Sequence, residues 1–134
     1  MRVIGIEFSA SNLHYVLIEL QENNSIKVLQ SNKLVLGETR SREALVAFQN
    51  AVSALFNSTQ PKLIGIKAKP ESGRLQAGAA ALKMEGIVVA NSPCSVDFVS
   101  GARVNDCAVK DETLHSYLQP ALKTAHSALT KILK

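Results

Sequence analysis

Two short runs of the chain each end in a residue that can do acid–base or electrostatic chemistry. Val3-Ile4-Gly5-Ile6 closes on Glu7, and Leu63-Ile64-Gly65-Ile66 closes on Lys67. Continuous apolar runs suit strands covered on both faces, as in the parallel part of an α/β sheet. Laid side by side and parallel, they carry Glu7 and Lys67 to the same sheet edge. Carboxyl ends of parallel strands are where open α/β folds hold their sites. A carboxylate beside an ammonium group is a usable catalytic unit, with Glu7 as general base or metal ligand and Lys67 as electrostatic partner. A purely structural ion pair leaves the same trace in a sequence. His126, on the edge of a later apolar stripe, is a third candidate, as an electrostatic or acid partner.

A second set of residues suggests phosphate contact. The formal net charge is +4. Residues 1–60 carry five basic and five acidic side chains, and residues 61–134 carry ten and six, so the excess lies in the second part. Within it, Lys67 and Lys69 stand in the basic loop Lys67-Ala68-Lys69-Pro70, with Arg74 and Lys83 after it. A basic bias attracts nucleic acid or another polyanion. No Lys/Arg run is present, and four Phe, two Tyr and no Trp argue against a base-stacking platform. Cys94 and Cys107 form no CxxC pair, and the three histidines are scattered, so neither a disulfide framework nor a metal site is expected. The glycine spacing matches no phosphate or dinucleotide fingerprint, so no cofactor is expected either. The chain has no transmembrane span and no secretory leader pattern, and the reduced cysteines fit a cytoplasmic setting.

The elements that position these residues emerge from patterning. At 134 residues the chain is read as one domain, able to bury roughly two-thirds of its unfolded surface. Arg2–Phe8, Leu13–Leu20 and Ser25–Gln30 read as three antiparallel strands joined by polar turns. Asn32–Gly37 reads as connection. Ser41 caps a helix whose Leu45, Phe48, Val52, Leu55 and Phe56 recur at helical spacing. Leu63–Ile66 then forms a strand after a helical crossover, which suits parallel pairing. A helix of small residues is expected from after Gly73 to about Met84, its Ala77–Ala81 face close to the sheet and Gly86 capping its end. Gly86–Ala90 reads as a fifth strand. Ser92-Pro93 reads as the start of a short helix ending near Gly101. Asp111–Tyr117 begins a helical region that Pro120 kinks or restarts. Leu122, Ala125, Leu129, Ile132 and Leu133 form the apolar stripe of the last helix.

Three antiparallel strands, a helix, then β-α-β and C-terminal helices is the element order of the ribonuclease-H-like fold, in which the first and fourth strands are central parallel neighbours. The resemblance implies an α/β architecture: a five-stranded mixed sheet, strands 1–3 antiparallel and strands 1, 4 and 5 parallel, with helices on both faces. The chain also resembles the RuvC-type Holliday-junction resolvases. It is more closely similar to a family of small, uncharacterised bacterial proteins that share V-x-G-[IV]-E and I-K-x-[RK]-P followed by a small-residue helix. Here these are Val3, Gly5, Ile6 and Glu7, then Ile66, Lys67, Lys69, Pro70, Gly78 and Ala79.

Nucleases of this fold hold two divalent ions on carboxylates. The resemblance would want an Asp on the first strand, a Glu ending the fourth, and acidic residues on the last helix. This chain has Glu7 on the first strand but Lys67 and Ala68 at the end of the fourth. From Ala121 onward there is no Asp or Glu, and Lys123, Thr124 and His126 stand at the corresponding positions. One carboxylate beside an ammonium group cannot gather two hard cations. The expectation is an ion pair of Glu7 with Lys67 in place of the metal site. A cluster of Glu7 with Asp97, Asp106 or Asp111 would contradict it. Three functions are compatible with these residues: a catalytically silent nucleic-acid-binding or regulatory domain; a protein-interaction module, such as a homodimer joined through the third strand's edge or the last helix; and a non-standard hydrolase using Glu7, Lys67 and His126.

Overall fold

The computed structural model describes residues 1–74 and 76–134. Its elements are β1 (Arg2–Ser9), β2 (Asn12–Leu20), β3 (Ile26–Val35), α1 (Arg42–Thr59), β4 (Leu63–Lys67), α2 (Ala79–Ala90), β5 (Ser95–Val99), α3 (Gly101–Asp106) and α4 (Gln119–Leu133). A 3-10 turn, Ser116–Leu118, leads into α4. The strands form one sheet in the order β3-β2-β1-β4-β5. β1 pairs antiparallel with β2 and parallel with β4. β2 pairs antiparallel with β3, and β4 parallel with β5. This is the mixed sheet the resemblance implied.

The two-residue period of a strand sends alternate side chains to opposite faces. Ile4 and Ile6, Leu13, Tyr15 and Leu17, and Ile64 and Ile66 face one core, closed by Phe48, Val52, Leu55 and Phe56 of α1 and Ala81, Met84 and Val88 of α2. Val3, Val16, Ile18, Leu63 and Val99 face the other, closed by Val104 of α3 and by Ala121, Leu122, Ala125, Ala128 and Leu129 of α4. Helices therefore cover both faces. Ser41 caps α1 as its position suggests, its side chain accepting from the Ala44 amide.

The close approach of a helix to the sheet is found on the α4 side. A Cβ added at Gly5 would collide with the Ala121 carbonyl oxygen and with Ala125. One at Gly65 would come within 2.9 Å of the Ala128 Cβ. The central glycines of the two echoing runs are the grooves in which α4 lies. Of the small-residue run Ala77 and Ala81 do pack on the core with the strands, but the glycines do not bring the backbone close: Gly78 and Gly86 have nothing within 4 Å of an added Cβ.

The largest correction concerns residues 76–101. The helix expected from after Gly73 begins only at Ala79 as α2 and runs through Gly86 to Ala90; Leu75, in the expected span, lies outside the described residues. Asn91 ends α2, its side chain donating to the Ile87 carbonyl at 2.7 Å. Ile87–Ala90 has the β-branched composition of a strand, yet only Val88 of the run is buried and Val89 is 41% exposed. Its partners Ala81 and Met84 stand at helical spacing. The fifth strand is Ser95–Val99, where a helix opened by Ser92-Pro93 was expected. Pro93 ends the turn after α2, and Val96, Phe98 and Val99 then favour extended backbone. The next helix is α3, capped by Ser100, whose Oγ accepts from the Arg103 amide at 3.1 Å.

Smaller differences have similar causes. β3 extends to Val35 through residues expected as connection, because Asn12 through Leu20 of β2 finds partners along its whole length. A bulge beside Leu17 and Ile18 sets Gln30 opposite Leu17 and Val28 opposite Ile18, which breaks the strict two-residue alternation of β3 between Val28 and Gln30. Gln30 reaches the face of Tyr15 and donates to its hydroxyl at 2.7 Å. Before α4, Asp111–Leu114 is turn, and Pro120 lies in the first turn of the helix, so it starts α4. At the helix's other end, Ile132 (48%) and Leu133 (59%) are exposed, so the last turn drops off the expected stripe.

Candidate functional site

β1 and β4 run in parallel register from Val3–Leu63 to Ile6–Ile66. One step further along both strands stand Glu7 and Lys67, on the sheet face that Gly5 and Gly65 open to α4. Lys67 Nζ donates to Glu7 Oε2 at 3.2 Å. The pair is sheltered but not sealed, with side-chain exposures of 15% for Glu7 and 27% for Lys67. In the antiparallel register of the hairpin, His14 lies directly opposite Glu7. Its Nδ1 is 3.7 Å from Glu7 Oε1, beyond hydrogen-bond range. That nitrogen is buried and has no hydrogen-bond partner among the described residues. His14 in turn meets the ring of Tyr117 at 4.8 Å, and Tyr117 lies nearly parallel to His115 at 5.4 Å.

The site is therefore a carboxylate held by an ammonium on one oxygen and faced by an imidazole on the other, with an aromatic pair alongside. His14, His115 and Tyr117 are not among the candidates that sequence patterning yields. A signal for His14 was present: a two-residue turn at Ala10-Ser11 pairs residues symmetrically, so residue 14 must face residue 7. Ala10 adopts a positive φ of 52°, which lets the turn be that short.

The other candidate residues are dispersed. His126 sits half-buried on α4, where burial lowers its pKa below the ordinary value, and among the described residues no ion pair or side-chain hydrogen bond joins it to Glu7 or Lys67. Lys69 is half-buried and Arg74 exposed, both in the connection between β4 and α2. Lys83 lies on α2, against the opposite face of the sheet, and donates to the Thr39 carbonyl at 2.6 Å.

The remaining carboxylates do not converge on Glu7. Asp97 is bound by Arg103 at 3.2 Å and Lys131 at 3.6 Å, and Arg103 also donates to the Ser127 carbonyl. Asp111 accepts from the amide and hydroxyl of Thr113 at 2.8 and 2.6 Å. Among the described residues, no three His, Cys, Asp or Glu side chains are grouped as ligands. A two-ion centre needs several oxygen donors, and Glu7 offers one carboxylate already facing an ammonium group. The donor set does not fit that centre. Cys94 and Cys107 are free thiols, and burial pushes that of Cys94 up.

The fold is that of the Holliday-junction resolvases, a ribonuclease-H-like class. RuvC of Thermus thermophilus superimposes with a TM-score of 0.80 at 12% identity, covering 99% of this chain and 96% of that one. The same organism's RuvC in complex with a Holliday-junction substrate gives 0.77 at 14% identity, covering 99% and 95%. The fowlpox virus resolvase with its substrate Holliday-junction DNA gives 0.61 at 11%, covering the whole of both chains. No curated protein matches the sequence. Residues 1–128 match the family described as "Protein of unknown function (DUF3010)", and the chain belongs to that family. No helix of the described residues is long and apolar enough to cross a membrane.

Proposed function

We propose that this protein binds nucleic acid through the carboxyl edge of its central strands and does not cleave it by a two-ion mechanism. The observation that carries this reading is the contact of Lys67 Nζ with Glu7 Oε2 at 3.2 Å. The ammonium neutralises the one carboxylate at the place where a nuclease of this fold would gather cations. An ammonium has three donors, so Lys67 can hold Glu7 and still meet a phosphate. Lys69 and Arg74, in the connection after β4, extend the basic edge. The likeness to resolvases seen with Holliday-junction DNA supports branched DNA as the first ligand to try.

The test is a gel-shift series with labelled single-stranded, duplex and four-way-junction DNA and matching RNA. It is run at low and high salt with magnesium or manganese present. The expected result is a salt-sensitive shift without shortened product. Shortened product that disappears in Glu7→Gln would identify an active nuclease and overturn the proposal. Absence of any shift at low salt would remove nucleic acid as the partner. A second reading, self-association or another protein partner, is favoured by one feature: β3 is an open edge of ten residues with Val35 55% exposed. Sedimentation at rising protein concentration tests it.

A further inference from the structure

Resting on the nucleic-acid reading, and against the expectation drawn from the low aromatic content, we infer that Tyr117 and His115 form a stacking ledge for an unpaired nucleobase. The two rings are stacked, 5.4 Å apart and 15° from parallel, and Tyr117 also meets His14 at 4.8 Å, so a base lands on the ring surface turned away from these contacts. Both residues are exposed, Tyr117 at 42% despite its size. An aromatic ring partly in water keeps a flat apolar surface that a stacked base can cover.

The ledge is built rather than frayed. Leu118, next in sequence, is anchored in the core at 4% exposure. Gln119 ties the preceding loop from within: its Nε2 donates to the carbonyls of Asp111 at 2.7 Å and Leu114 at 3.2 Å, and its Oε1 accepts from the Asp111 amide at 3.2 Å. The Leu114 amide bonds back to the Asp111 carbonyl, and the Leu118 amide to the His115 carbonyl. Rings held in place this way lose little freedom when a base lands on them.

Lys67 contacts Glu7, Glu7 faces His14, and His14 meets Tyr117. A cation for the phosphate and an aromatic surface for the base thus stand at the two ends of one continuous set of contacts. Of the acidic groups of the loop, Glu112 is offset by Lys110 at 3.6 Å, while Asp111 stays an anion that accepts from Thr113. Base–aromatic stacking is indifferent to sequence but requires an unstacked base, which a paired duplex does not offer. The ledge therefore selects single-stranded segments and branch points over duplex.

The chain has no tryptophan, so Tyr117→Trp places a single fluorophore on the ledge. It is titrated with oligothymidine, a four-way junction and duplex DNA. Tyr117→Leu, which keeps an apolar cover over His14 but has no flat ring, and Tyr117→Phe, which keeps the ring, are compared with the parent by gel shift and by melting temperature. The expected results are quenching by oligothymidine and junction but not by duplex, and about tenfold weaker single-strand binding by Tyr117→Leu. Its duplex binding and melting temperature should be unchanged, and Tyr117→Phe should behave as the parent. Gel shifts without quenching, with Tyr117→Leu binding as the parent does, would overturn the ledge and leave the nucleic-acid reading standing. An equal loss on all ligands, or a lowered melting temperature, would mean the ring is structural and would also overturn it. No binding by the parent protein to any of the three would overturn both.

Discussion

Glu7 gives one carboxylate oxygen to Lys67 and turns the other toward an imidazole. Removing one partner of a half-sheltered pair leaves the other without compensation for its desolvation. Lys67→Met is therefore expected to lower unfolding free energy by about 1–3 kcal/mol. The double variant Glu7→Gln with Lys67→Met should recover most of that loss, as read by urea unfolding. If the single variant loses nothing, the contact is as weak as an ordinary surface pair. Glu85 offers a pH test. Burial, with Glu71 adding to it, raises its pKa above the ordinary value of 4.5. The folded state then binds the proton more readily than the unfolded one, so the charged form is a burden at neutral pH. Glu85→Gln should be the more stable protein at pH 7, and the difference should close as pH falls through the raised value toward the ordinary one. The pairing of Glu7 with Lys67 was legible because two similar runs end alike and parallel register carries their ends together. His14 was legible only once the turn is fixed at Ala10-Ser11, since the hairpin register then sets it opposite Glu7. Tyr117 and His115 reach the site through tertiary packing alone.

At the scale of elements, the glycines of the two echoing runs and of α2 have three different environments. Gly5→Ala would drive a methyl into the backbone of α4, where neither side can yield, and is expected to cost about 3 kcal/mol. Gly65→Ala meets the methyl of Ala128 at 2.9 Å and should cost less, about 1–2 kcal/mol. Gly86→Ala falls in a helix interior with open space around it and should stabilise by up to about 1 kcal/mol. Thermal unfolding of the three variants reads all of these, and a destabilising Gly86→Ala would mean α2 does not run through that residue. The order of strands and the helix α1 were legible because their apolar periods are long and unambiguous. The α2–β5 region was not. A glycine between two apolar runs reads as a stop, and Ile87-Val88-Val89 has the composition of a strand. Burial on one side only, which decides for helix, is set by packing on α1 and is not written in the local sequence.

For the whole molecule, two basic residues of the second part, Lys67 and Lys83, stand on opposite faces of the sheet. Lys67 stands at the edge that opens toward α4, and Lys69 and Arg74 lie in the connection after β4, whereas Lys83 is bound to the Thr39 carbonyl on the α1 side. Nucleic-acid affinity plotted against salt should thus fall with a slope of about −0.7 to −0.9 per phosphate contact. Lys69→Ala and Arg74→Ala should each make the slope shallower by about one contact, and Lys83→Ala should leave it unchanged. A slope that responds to Lys83 would place the binding face on the other side. The seat of α4 in the glycine grooves also governs when the molecule is made whole. β1 is synthesised long before α4, the helix that covers Gly5. At roughly 5–20 residues per second, the first strand waits on the order of ten seconds for its cover. Until then Val3 and Val16 lie open on a bare sheet, so the ribosome-bound chain passes through a sticky interval that ends in a single late docking event.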